Sequence, residues 1–159
     1  MGDFFGCAFT GHRALPTNEL LQIRNLLDRA IAYAYTQGCR AFYAGGAIGF
    51  DTEAAERVIA FRETHRDIAL ILILPCHAQE AKWSDAQKKR YSKLLKCADV
   101  VRYTAEEYTP DCMRVRNEAL VTAADMMIAY LSHFHSGAGQ TVNMAKKKGI
   151  PVYNLYNKE

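Results

Sequence analysis

The strongest constraint on this chain is a repeated order: a short apolar run, a loop of small residues, then a stretch with helical periodicity. Such alternation argues for an α/β domain with a mainly parallel sheet, because each crossover helix returns the chain to begin the next strand in the same direction. The pattern predicts strands at Phe4 to Thr10, Arg40 to Ala44, Ile68 to Leu74, Asp99 to Tyr103, Asp125 to Leu131 and Ile150 to Tyr156. It predicts helices over Thr17 to Gln37, Asp51 to Thr64, Ser84 to Cys97 and Asp111 to Ala123, and a last one opened by Ser136 and ended by Gly149. In the first helix Leu20, Ile23, Leu27, Ala30, Ile31 and Ala34 form the apolar stripe, and Gly38 ends it. The unbroken apolar run at Ile68 to Leu74 fits a strand covered on both faces, and Pro75 stops it. The expectation is a Rossmann-like three-layer fold with a mainly parallel sheet of about six strands. At 159 residues the chain fits a single domain over 1–159.

In an open parallel sheet, loops that follow strands share one edge, and ligands bind where the strand order reverses. Three loops are candidates on this ground. Thr10, Gly11, His12 and Arg13 follow the first strand; glycine lets the backbone approach a ligand, and Arg13 offers a planar cationic fork suited to phosphate. Gly45, Gly46 and Gly49 lie between the second strand and its helix, where free amides and a positive helix end suit an anion. Asp51 and Glu53 stand at that helix start, as caps, as acceptors for a sugar hydroxyl, or as catalytic carboxylates. Ser136, Gly137, Gly139, Gln140 and Thr141 repeat the same arrangement at the last helix, flanked by His133 and His135, which read as solvated loop histidines.

One helix breaks its own pattern. With Met113, Leu120, Val121 and Ala124 inward, Asn117 falls near the middle of the apolar face and Arg116 at its edge. Buried polar groups need partners, so the pair either satisfies a neighbouring loop or points into the ligand cleft. Trp83 could stack on a base or simply pack. The runs Lys88-Lys89-Arg90 and Lys146-Lys147-Lys148 read as solvated faces, the second also as helix-end charge.

Other chemistries find no footing. Five cysteines without a C-x-x-C pair match neither a zinc site nor a disulfide framework, so no metal is expected, and reduced, mostly buried thiols in a cytoplasmic protein are. No cofactor is expected, for there is no Walker A sequence, H-E-x-x-H or G-x-S-x-G. Met1-Gly2-Asp3-Phe4 does not open a signal peptide, and the run Ile68 to Pro75 is too short to cross a membrane. A formal net charge of +3 gives nucleic-acid binding no support, so a small nucleotide-like ligand is the expected partner and nucleic acid is not. Apolar faces on the end helices could support a homo-oligomer.

The motifs Phe9-Thr10-Gly11-His12-Arg13, Gly45-Gly46-Ala47-Ile48-Gly49-Phe50-Asp51 with Ala54-Ala55-Glu56, Arg116-Asn117 and Ser136-Gly137-Ala138-Gly139-Gln140-Thr141 resemble the YpsA-like family of the SLOG superfamily, over nearly the whole chain. The superfamily also includes DprA, a single-stranded DNA-binding recombination mediator, and LOG, a phosphoribohydrolase. The resemblance implies a Rossmann-like fold and a nucleotide-derived ligand that is sensed or processed. The P-G-G-x-G-T-x-x-E motif of LOG enzymes has its nearest counterpart at Gly45 to Glu53, without that proline or threonine.

Overall fold

A computed structural model of the protein describes residues 4–156. The reading of Met1 to Asp3 as free of a signal peptide, and both ends of the domain expected over 1–159, lie outside the described residues. The chain runs β1 (Gly6–Gly11), α1 (Leu20–Thr36), β2 (Ala41–Ala44), α2 (Phe50–Arg62), β3 (Ala69–Leu74), α3 (Asp85–Cys97), β4 (Val100–Tyr103), α4 (Cys112–Ala123), β5 (Met126–Tyr130), α5 (Gly137–Lys148) and β6 (Val152–Asn154). A 3-10 turn over Thr17–Glu19 precedes α1, where a continuous helix from Thr17 is expected; the Glu19 amide closes on the Pro16 carbonyl at 3.0 Å instead of four residues back. The last strand is shorter than Ile150 to Tyr156, because the Ile150 amide is spent on the Ala145 carbonyl at the end of α5.

All six strands are parallel, in the order β4-β3-β2-β1-β5-β6. Alternate strand residues face opposite layers. Phe9, Phe42, Leu70, Leu72, Leu74 and Ile128 pack under α1, α2 and α3, while Ala8, Ile71, Ile73 and Met127 pack under α4 and α5. Each large apolar side chain buried this way contributes about 1.5–3 kcal/mol. Order reverses between β1 and β5: the chain leaves β1 toward the α1 layer and β5 toward the α5 layer, so their loops separate and open a crevice at the carboxyl edge.

Side-chain caps set the helix ends. Ser136 Oγ accepts the Gly139 amide at 3.0 Å and starts α5, and Gly149, at φ 84°, ends it. Two charge runs are more than solvated faces. Arg90 binds Glu56 and Glu53, at 2.6 and 3.4 Å. The Lys148 ammonium donates to the Val121 and Thr122 carbonyls at 3.0 Å each, closing the far end of α4. Cys7, Cys39, Cys76 and Cys112 are buried and free, and Cys97 is free and half-buried.

Candidate functional site

The crevice at the switch point is a cleft of about 750 Å³, within the range of small-molecule sites. Its walls come from the loop after β1, the start of α2, one stripe of α4, the loop after β5 and the start of α5. Thr10, Gly11, His12, Arg13, Asp51, Arg116, Asn117, Ser136 and Gly137 line it, so the structure brings together residues spread over most of the chain. Gly45, Gly46, Gly49, Glu53, Gly139, Gln140 and Thr141 do not line it.

The glycines outside the cleft make room for structure. A Cβ on Gly45 would lie 2.6 Å from Arg116 Nη1 and 2.9 Å from Asp51 Oδ2, so only glycine leaves space for both charged groups above it. Gly49 sits at φ 82°, and a Cβ there would come within 2.2 Å of the Arg13 carbonyl oxygen. This close approach, with the Phe50 amide donating to the His12 carbonyl at 3.0 Å, packs the first loop onto the start of α2. Gly46 packs against Leu74 and Gly139 against the Phe134 carbonyl. Gly11, although on the cleft, also accommodates the buried Phe50 ring, 2.5 Å from where its Cβ would stand.

Three hydrogen bonds tie the 45–49 turn to the start of α2 and to α4. The Ala47 amide donates to Asp51 Oδ2 at 3.2 Å, the Ala47 carbonyl accepts Thr52 Oγ1 at 2.8 Å, and the Gly45 carbonyl accepts Arg116 Nη1. The turn therefore presents Ala47 and Asp51 to the cleft, with its three glycines behind them. Free amides of residues that line the cleft stand at α5: among the described residues the Gly137 and Ala138 N–H groups have no acceptor, as expected of a helix's first turn.

Glu53 points elsewhere. It is buried and receives Arg24 at 2.8 and 3.2 Å and Arg90 at 3.4 Å. Burial pushes its carboxyl up, but the two guanidiniums outweigh that and hold it below the usual carboxylate range. Thr141 is buried and donates to the Gly137 carbonyl at 2.9 Å, and Gln140 faces solvent.

Arg116 is the dominant charge of the site. It is 5% exposed. Its Nε donates to Asn117 Oδ1 at 2.8 Å, Nη1 to Gly45, and Nη2 weakly to Met113 Sδ at 3.8 Å. Among the described residues it forms no salt bridge. Burial lowers its pKa and Asp51 partly counters this; a guanidinium nevertheless stays charged. Asp51, also buried, is pushed up by desolvation, against the pull of Arg116, the Ala47 amide and Arg13. Opposite them, His12 stacks on His133 with centroids 4.2 Å apart. The Ser132 amide donates to His12 Nε2 at 2.9 Å, which fixes the proton of neutral His12 on Nδ1. Burial, then His133, lowers the His12 pKa.

Several cleft residues were not expected there. Ser132 and His133 line it, His133 stacked rather than merely solvated, and they follow β5 as His12 and Arg13 follow β1; the rule about loops after strands identifies them. Ala47, Met113 and Leu120 supply apolar floor. Tyr108, in the loop after β4, had no periodic signal. Trp83 is not at the cleft; it packs edge-on against Tyr91 with centroids 5.1 Å apart. Among the described residues no group of three or more His, Cys, Asp or Glu could hold a metal ion, and no helix is long and apolar enough to cross a membrane.

The model of the YpsA family, described as the YspA SLOG family, matches residues 9–153. A UPF0398 protein of Halalkalibacterium halodurans is 30% identical over 129 residues, which is 79% of this chain and 68% of that one. Among solved structures, DNA processing protein A of Helicobacter pylori, described with its single-stranded DNA binding mode, superposes with a TM-score of 0.70 at 17% identity, over 97% of this chain and 66% of its own. DprA of Streptococcus pneumoniae gives 0.70 at 16% identity, over 98% of this chain and 51% of its own. The chain thus spans about two thirds of one DprA and half of the other. At these identities the likeness concerns the fold, and it lends no support to setting nucleic acid aside as a partner.

Proposed function

The chain belongs to the YspA SLOG family, and from that premise we propose that its rim cleft binds a nucleotide or nucleotide-derived small molecule through a phosphate group. Arg116 carries this reading. A buried guanidinium without a salt bridge is costly, and an anion entering the cleft supplies the missing partner. Arg13 and the free amides of Gly137 and Ala138 add further donors on the walls of the same cleft, and a helix start favours negative charge. Asp51 repels a phosphate placed beside it, so it faces a neutral part of the ligand, such as sugar hydroxyls.

Calorimetry of the full chain against AMP, ADP-ribose and adenosine tests the reading. The phosphate-bearing ligands bind at least ten-fold more tightly than adenosine, and Arg13→Ala weakens them. Absence of binding at millimolar concentrations of all three overturns it.

A second reading is N-glycosidic hydrolysis of a nucleoside monophosphate. Its support is that Asp51 is, among the described residues, the one carboxylate lining the cleft, buried and raised in pKa. Such a carboxyl could stabilise a developing sugar cation or activate water. Base release from AMP that disappears in Asp51→Asn, with binding retained, establishes it; binding without release leaves the cleft a sensing site.

A further inference from the structure

We infer that Tyr108 is the ring-selecting contact of the cleft, and that the ligand class is therefore an aromatic-base nucleotide rather than a bare sugar phosphate. The inference rests on the phosphate-binding reading and adds the other end of the ligand.

Tyr108 is 69% exposed, yet it lines the cleft. Among the described residues its ring stacks on no other aromatic, whereas His12, His133 and Tyr130 nearby are all engaged. An aromatic that size, unpartnered at the mouth of a polar cleft, presents a free π-face. Its position is held. The loop from Thr104 to Asp111 is pinned at its start by the Thr104 amide on the Leu74 carbonyl at 2.9 Å and by the His77 amide on the Glu106 carbonyl at 3.4 Å. It is pinned at its end by the Cys112 amide on the Thr109 carbonyl at 3.1 Å and by Thr109 Oγ1 on Asp111 Oδ1 at 3.0 Å. Pro110 stiffens that end. Tyr108 stands between the two pins, so its backbone is restrained and only its side chain remains to be ordered when a ring packs on it.

The surroundings match. Met113 and Arg116 lie three residues apart on α4, a little under one turn, or about 4.5 Å of rise. A phosphate held by Arg116 therefore leaves the rest of the ligand within reach of Met113, which adapts readily to a flat ring.

The test measures AMP and ribose 5-phosphate by calorimetry on the full chain as wild type, Tyr108→Phe and Tyr108→Ala. Stacking of one base on one aromatic is about a ten-fold effect or more. Wild type binds AMP more tightly than ribose 5-phosphate; Tyr108→Phe keeps that preference. Tyr108→Ala weakens AMP at least ten-fold more than it weakens ribose 5-phosphate. Equal losses for both ligands, no AMP preference in wild type, or a Tyr108→Phe variant as poor as Tyr108→Ala overturns the inference while the phosphate reading stands. Wild type that binds neither ligand overturns both.

Discussion

The Ser132 amide donates to His12 Nε2 at 2.9 Å, joining the loop after β5 to the loop after β1 across the point where the strand order reverses. The bond exists only while Nε2 carries no proton. Folding thus favours neutral His12, and its pKa lies below the ordinary 6.5. The unfolded chain then binds more protons than the folded one, so stability rises with pH through this window. Above 6.5 the contribution is complete, and it is lost as pH falls toward the lowered value. Melting temperature of the ligand-free protein, followed from pH 7.5 to about 5, should fall more steeply for wild type than for His12→Gln. Parallel curves would remove His12 from the account.

Arg116→Met tests the phosphate contact. The change removes a buried cation that has no salt bridge, but it also strands the Gly45 carbonyl and Asn117 Oδ1 and leaves buried Asp51 without its nearby positive charge, so it costs about 1–3 kcal/mol of stability. It also removes charge-assisted donors to a phosphate, worth about 1.5–3 kcal/mol each, or ten- to a hundred-fold in affinity. Urea unfolding should show that modest loss while the variant stays folded, and AMP calorimetry on the same preparation should show the larger loss of affinity. A folded variant that binds AMP as tightly as wild type would remove Arg116 from the phosphate site.

Glu53→Gln should lower stability alone. Glu53 is buried between Arg24 and Arg90, whose side chains are 41% and 36% exposed, so loss of its charge costs about 1–3 kcal/mol after solvent screening of the partners. Glu53 is outside the cleft, and AMP affinity should stay within about two-fold, well under one charge-assisted bond. Lost affinity at full stability would restore Glu53 to the site.

A single-stranded oligonucleotide provides the control for nucleic-acid binding. One phosphate contact gives a salt slope of about −0.7, and each further contact adds as much. Binding through this cleft alone should give a slope near one contact and compete with AMP. A slope several times steeper, insensitive to AMP, would locate a nucleic-acid surface elsewhere on the chain.

The sheet was legible because strand ends and glycine loops coincide: Gly11, Gly45 and Gly137 each follow an apolar run, and parallel connection puts all three on one edge. The polar break on α4 was legible too, although Arg116, placed at the edge of the apolar face, is more deeply buried than Asn117, placed at its middle. Glu53 was grouped with Asp51 by proximity along the chain. Two residues of helix turn the side chain by about 200°, so the two carboxylates serve opposite sides of α2. Tyr108 lies in an irregular loop, where no period marks the inward side; only the hydrogen bonds that pin Thr104 and Thr109 reveal where it is held.

The Lys148 ammonium that closes the far end of α4 also fixes α4 to α5. Arg116 and the Gly137 amide ride on those two helices, so a joint remote from the cleft, together with the packing of Leu120 and Val121 with Ala145, helps to hold their separation. Acylation of Lys148 would break both bonds and loosen that joint without touching a residue that lines the cleft.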